Sequence, residues 1–210
     1  HAAPLIMVGT ILWYMIEVGS YSVAVGALWE IWSSSFSSLF VTPLTLAEFV
    51  VGQMLFSMVK QALMFVFLSI TALVVFGFSI FTLGPMIFVY LALLTGFAWA
   101  VGMFTLSLIL RFGTKIQSLA WSFIYIIQPI VGVFYPIDVL PSWLQVVSRA
   151  LPLSYVFEAA RNQFVGKPIH WEQLVFAGFL DIVYFIASAF FLSRMWAWSK
   201  RTGALVRMET

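Results

Sequence analysis

The chain has 210 residues, of which 63% are hydrophobic and only 9% charged. An ordinary soluble domain is about 45–50% apolar and about 25% charged, so this composition belongs in a bilayer. Ten basic against eight acidic residues give a net charge of +2, too small and scattered for a nucleic-acid surface, and zero Cys excludes disulfides and Cys-ligated zinc or iron–sulfur centres.

The chain opens with His1 and shows no charged leader before a short apolar core, so no signal peptide is read and a natural start upstream is expected. The first apolar stretch, 5–28, is interrupted only by Glu17. At about 20 residues per crossing it predicts a transmembrane helix. The next segment, 29–46, is Ser-rich and amphipathic: Leu28, Ile31, Trp32, Phe36, Leu39 and Phe40 recur at helical spacing, and Pro43 should end that helix. Such a segment lies in the membrane interface or docks on a soluble partner.

Between Lys60 and Arg111 lie 50 residues without a charge. That run, with its lead-in from Glu48, predicts two spans, 49–77 and 86–110, separated by the Thr82-Leu83-Gly84-Pro85 turn. A fourth span is expected at 116–135 and a fifth at 173–198, the last carrying Asp181. The runs are continuous rather than alternating, which argues for helices and against a barrel.

Arg194 near the end of the last span, with Lys200, Arg201 and Arg207 after it, places the C-terminus in the cytoplasm. The Arg111–Lys115 turn then falls inside and the uncharged 82–85 turn outside, both in keeping with the rule. Against it, residues 29–48 hold only Glu30 and Glu48, and residues 138–170 carry Arg149, Arg161 and Lys167. Five spans with the C-terminus inside leave His1 outside, so a sixth, N-terminal span is expected to precede the chain.

Segment 137–166 does not span. Pro136 and Pro168 flank it, and Pro141 and Pro152 divide it into short pieces. Pro141 suits a first helical turn, and Trp143, Leu144, Val146, Val147 and Leu151 make its apolar face. After the Pro152 break a second helix is expected from Ser154, with Glu158 and Arg161 at i, i+3. Two half-length helices around a proline break predict a re-entrant hairpin, which is tolerated only against protein or a watery cavity.

In their order these parts resemble the membrane-spanning permease subunit of bacterial ATP-binding-cassette exporters, in the branch that moves polysaccharides, lipid-linked glycans and drugs. Two passages carry the resemblance. Glu30 to Glu48, with Leu-Phe-Val-Thr-Pro-Leu-Thr at 39–45, looks like the family's cytoplasmic coupling segment. Residues 134–144 and 151–161, with Phe134-Tyr-Pro, Leu140-Pro-Ser-Trp and Pro152…Glu158…Arg161, resemble its extracytoplasmic re-entrant pair. The likeness runs from the family's second span onward.

The resemblance implies a single all-α polytopic permease domain, 1–210, in the bacterial cytoplasmic membrane. A second permease copy and two nucleotide-binding ATPase subunits are its expected partners, with ATP and magnesium held by the ATPase and no cofactor or metal in this chain. Glu30, Phe36, Leu39, Phe40, Thr42 and Pro43 would couple to the ATPase. Pro136, Asp138, Pro141, Trp143, Pro152, Glu158 and Arg161 would shape an outer gate. The chain has no phosphate-binding G-x-x-x-x-G-K-[ST]: Gly166-Lys167 is followed by Pro168 and has Arg161 where the first Gly belongs. ATP hydrolysis is therefore expected on another polypeptide.

Glu17, Lys60 and Asp181 fall within expected spans, where an unpaired charge costs at least about 2.5–3.5 kcal/mol. A Glu17–Lys60 ion pair would offset much of this, and contact with a polar substrate is the functional alternative. Trp13, Tyr14, Trp99, Trp121 and Tyr125 could line a sugar path in a glycan exporter, although packing and interfacial-belt roles are commoner for such rings. His1 and His170 are isolated and suggest no metal site. Two other classes compete. An ion-coupled secondary transporter could use Glu17 and Asp181 as proton sites, but internal repeats are not visible. A membrane enzyme acting on lipid-linked substrates would need a paired nucleophile and base, and no such constellation appears.

Overall fold

The computed structural model describes residues 2–32, 45–113 and 117–202, and among these the regular structure is entirely helical. Among the described residues seven α-helices follow one another: α1 (Ala2–Trp32), α2 (Leu46–Phe76), α3 (Met86–Phe112), α4 (Gln117–Ile130), α5 (Ser142–Arg149), α6 (Pro152–Phe164) and α7 (Trp171–Thr202). Four of them, α1, α2, α3 and α7, are long and apolar enough to cross a membrane. At 1.5 Å per residue they run about 40–48 Å, more than the roughly 30 Å of hydrocarbon.

Helices α1, α2, α3 and α7 overlie 5–28, 49–77, 86–110 and 173–198, with ends that differ by up to four residues. The difference is at 116–135: the described helix there is α4, 14 residues or about 21 Å. Pro129 lies in its last turn, and Gly132, at φ 66°, takes the left-handed conformation that turns the chain away.

The start of α2 is built into the sequence. Thr45 is its N-cap: the Glu48 amide donates to Thr45 Oγ1 (3.3 Å), and the Thr45 amide donates to Glu48 Oε2 (2.7 Å), a reciprocal capping box. Glu48 is thus a helix-end group rather than a charge inside the span. At the far end Gly77, at φ 64°, and Phe78 return their amides to Leu73 and Ala72 and stop the helix.

Helix α3 is the axis of the bundle, with α1 on one side and α7 on the other, while α2 packs mainly on α1. The α1–α3 crossing is close because small residues meet there. A Cβ on Gly102 would lie 2.7 Å from Val23 Cβ and 2.9 Å from the Ser20 carbonyl oxygen. One turn earlier, a Cβ on Gly19 would lie 2.8 Å from Ala98 Cβ. Dispersion and close backbone approach hold such crossings together in lipid, where burial between helices supplies no hydrophobic gain. Only a narrow stripe of α2 is buried, through Val50, Met54, Ser57, Gln61, Phe65, Ser69 and Ala72. Its other faces expose Leu63, Phe67 and Val74.

Helices α5 and α6 form the expected hairpin. Pro141 caps α5, and Pro152 occupies the first turn of α6, two residues earlier than the Ser154 start expected. Ser154 and Ser148 lock the elbow through Oγ–Oγ (2.9 Å) and Ser154 Oγ to Ser148 O (2.6 Å) hydrogen bonds. The elbow sits deep: Tyr184, about 20 Å along α7, donates to the Ala150 carbonyl (3.2 Å). The far end of α6 returns to the level of the turn between α2 and α3, beside the point where the chain leaves α4. Gln163 Nε2 donates to Leu83 O (2.8 Å), Tyr90 donates to Gln163 Oε1 (2.7 Å), and Arg161 donates to Gly132 O (2.5 Å). The hairpin therefore enters and leaves the bundle at the same end.

Candidate functional site

One face of the bundle differs from its apolar surroundings. On α1, Thr10, Tyr14, Glu17 and Tyr21 are spaced by four, three and four residues, which puts them on one stripe. The opposite side of the same helix, with Leu12, Met15, Ile16 and Val23, is buried against α2 and α3. Tyr14 and Tyr21 are 36% and 40% exposed, and Tyr125 on α4 is 50% exposed. Tyr125 joins the stripe by donating its hydroxyl hydrogen to Glu17 Oε1. Tyr14 and Tyr21 both lie close enough to Tyr125 to interact with it electrostatically. The result is a carboxylate flanked by three phenols, on an open face midway along a membrane helix.

The expected Glu17–Lys60 ion pair does not form. Glu17 takes its hydrogen bond from Tyr125, and the Lys60 ammonium lies 4.3 Å from the centroid of the Phe56 ring on its own helix. Helical register is the reason. Successive residues point about 100° apart, so Gln61, not Lys60, faces the bundle. Gln61 Nε2 donates to Met15 O on α1 (2.7 Å), and its Oε1 accepts from Thr95 Oγ1 on α3 (3.1 Å). With no partner across the helices among the described residues, Lys60→Met is expected to leave the melting temperature unchanged or raise it, and to improve membrane insertion. A fall of several degrees would show that the ammonium supports the fold.

Asp181 is buried at 7% exposure, with neither carboxylate oxygen hydrogen-bonded among the described residues. It faces α3, where a Cβ on Gly96 would lie 3.7 Å from Oδ2. The three intramembrane charges thus lie in three different settings: an open face, an outer face and a helix–helix contact.

The aromatic residues also separate. Trp13 is buried, with its ring 6.5 Å from that of Phe157, so it is core rather than path. Trp99 donates its Nε1 hydrogen to Ser57 Oγ (2.7 Å) and lines a cleft of about 510 Å³ between α2 and α3. Tyr14 and Tyr125 remain on the open face. The Trp121 side chain lies outside the described residues.

Among the coupling candidates, Glu30 falls in the last turn of α1, though its side chain is outside the described residues, as are Phe36, Leu39, Phe40, Thr42 and Pro43. What is described is the frame: α1 runs in as far as Trp32, and the Thr45–Glu48 capping box starts α2 on the other side.

The outer-gate candidates divide by burial. Pro152 is buried at the elbow, while Pro136, Asp138, Pro141 and Trp143 are exposed. Asp138 contributes its backbone carbonyl, 3.4 Å from Gln145 Nε2, which also donates to Leu140 O (2.8 Å). Arg161 does not spend its hydrogen bond on Glu158, one turn earlier. It reaches across to the Gly132 carbonyl and ties α6 to the chain leaving α4. Burial lowers the Arg161 pKa, and the nearby Glu158 carboxylate raises it again in part.

Compared with protein families, residues 2–165 match the family described as ABC-2 type transporter, most of the chain. The chain belongs to the ABC-2 type transporter family. A comparison with curated proteins finds no match. An ABC-2 chain is a membrane component of an ATP-binding-cassette transporter, and the family pairs with nucleotide-binding ATPase subunits. The four long helices of this ABC-2 chain make it a multi-pass membrane protein. Gln61 and Tyr21 were not among the sequence candidates. The 14–17–21 spacing was visible in the sequence, whereas the role of Gln61 depends on a register that only the packed helices reveal.

Proposed function

We propose that this ABC-2 chain is the membrane-spanning half of an exporter, working as a homodimer, in which the α1–α4 face lines the passage. The observation that carries the reading is the Tyr14–Glu17–Tyr21–Tyr125 stripe. A row of exposed polar groups at mid-helix is unfavourable against lipid, so it favours a hydrated lumen or a second copy across it. Cargo is moved out of the cytoplasm, and polysaccharide, lipid-linked glycan and hydrophobic drug are its candidate classes. ATP binding and hydrolysis occur on the partner ATPase, which grips residues 30–45 and shifts the permease between two states by binding them unequally. The basic residues toward the end of α7, Arg194, Lys200 and Arg201, favour a cytoplasmic C-terminus in the bacterial inner membrane, and the 79–85 turn with the α5–α6 hairpin then faces outward.

The chain has no cysteine, so single-cysteine variants report one position each. Cysteine at 14, 17 or 21 is expected to react with a membrane-impermeant maleimide in the assembled transporter, with rates that change on adding ATP. Cysteine at 63 or 67, on the apolar face of α2, should stay unlabelled. Equal protection of both sets would remove the passage from the α1–α4 face.

A further inference from the structure

We propose that Tyr14, Glu17, Tyr21 and Tyr125 form a binding site for a lipophilic organic cation of the quaternary ammonium or phosphonium type. The inference rests on the reading of this face as a passage, and narrows the cargo by charge. Glu17 is the acidic centre of the stripe, and it makes no ion pair with a Lys or Arg among the described residues. Tyr125 occupies Oε1 with a single hydrogen bond, which positions the carboxylate without neutralising it. An arriving cation therefore meets a carboxylate with no basic partner among the described residues.

The phenols decide what kind of cation. The faces of aromatic rings attract cations whose charge is diffuse and weakly hydrated, and cages of such rings are the usual means of recognising quaternary ammonium groups. Tyr14 and Tyr21 stand about 10 Å apart along α1, one on each side of Glu17, with Tyr125 across from it. A bulky cation can span that distance and touch the rings and the carboxylate together. A small inorganic dication is a poor match, because it needs six or more oxygen ligands, and no group of three or more His, Asp or Glu occurs among the described residues. A polyanion would be repelled by Glu17.

The test is equilibrium dialysis of radiolabelled tetraphenylphosphonium against the purified full chain with its co-purifying ATPase subunits. Binding is expected to saturate, and tetraphenylborate, of the same shape and opposite charge, is expected not to compete. Glu17→Gln should weaken binding at least about tenfold, and Tyr14→Ala or Tyr125→Ala about 2–30-fold. Tyr125→Phe, which keeps the ring, should retain more affinity than Tyr125→Ala. Non-saturable binding, equal competition by the borate, or unchanged affinity in Glu17→Gln would overturn the proposal. If Glu17→Gln fails to fold, the cation–anion comparison on the unaltered chain and Tyr14→Ala still decide. The two readings fail separately: maleimide-accessible positions 14, 17 and 21 with no phosphonium binding would leave the passage standing and remove only the cation site.

Discussion

Gly102→Leu is expected to lower the stability of the purified protein by about 3 kcal/mol or more, the upper end of what overpacking costs. The new side chain would enter at a point where even a Cβ comes within 2.9 Å of the Ser20 carbonyl oxygen and 2.7 Å of Val23 Cβ. A flexible side chain could step aside, but a helical carbonyl moves only with its helix, so α1 and α3 must separate. Because α1 also carries Tyr14, Glu17 and Tyr21, the separation would displace the whole polar face. The thermal midpoint in detergent should fall by roughly 6–12 °C. Gly52 is the control. A Cβ there meets nothing within 4 Å, and Gly52→Ala should hold or raise the midpoint, since Ala is the better helix former by roughly 1 kcal/mol. An unchanged midpoint in Gly102→Leu would mean that the α1–α3 crossing can admit a side chain and does not require glycine there.

Arg161→Ala is expected to release the segment between α4 and α5 from the hairpin. Arg161 donates to the carbonyl of Gly132, a residue at φ 66° whose Cβ, were there one, would lie 2.8 Å from the Tyr135 oxygen. The turn is therefore held both by its own conformation and by a charged donor from another helix. A hydrogen bond from a charged group contributes about 1.5–3 kcal/mol, and its removal leaves the Gly132 carbonyl without that donor. Amides of residues 131–140 should then exchange with deuterium about 10–150-fold faster, while those in the middle of α3 keep their protection. Arg161→Lys should rescue only in part, because an ammonium lacks the extended, planar guanidinium. Unchanged exchange in Arg161→Ala would mean that Gly132 and the α4 terminus fold this turn unaided.

Helix ends and breaks were legible in the sequence because they depend on neighbouring residues. Pro141 stands at the start of α5, and Pro152, read as a break, falls between α5 and the body of α6 and opens the latter. The start of α2 was misplaced by three residues, since Thr45 caps it and Glu48 serves in its first turn. The polar face was half visible. The 10–14–17–21 stripe is a property of one helix, but the bond from Tyr125 to Glu17 joins residues 108 apart in sequence. The Lys60 pairing failed at the same boundary: spacing along the chain located the charge at mid-span, yet only the packed helix says which way it points.

Composition and the length of the apolar runs were enough by themselves to determine a helical, multi-pass membrane protein, because lipid obliges each span to satisfy its own backbone. Tertiary structure alone decided that Gln61 rather than Lys60 bridges α1 and α3, that Asp181 is enclosed, and that the 142–164 hairpin dips to the depth of Tyr184 and returns. The physical reason is rotational. A helix has the same hydropathy whichever way it is turned, so the sequence sets its length while contacts with neighbouring helices set its azimuth.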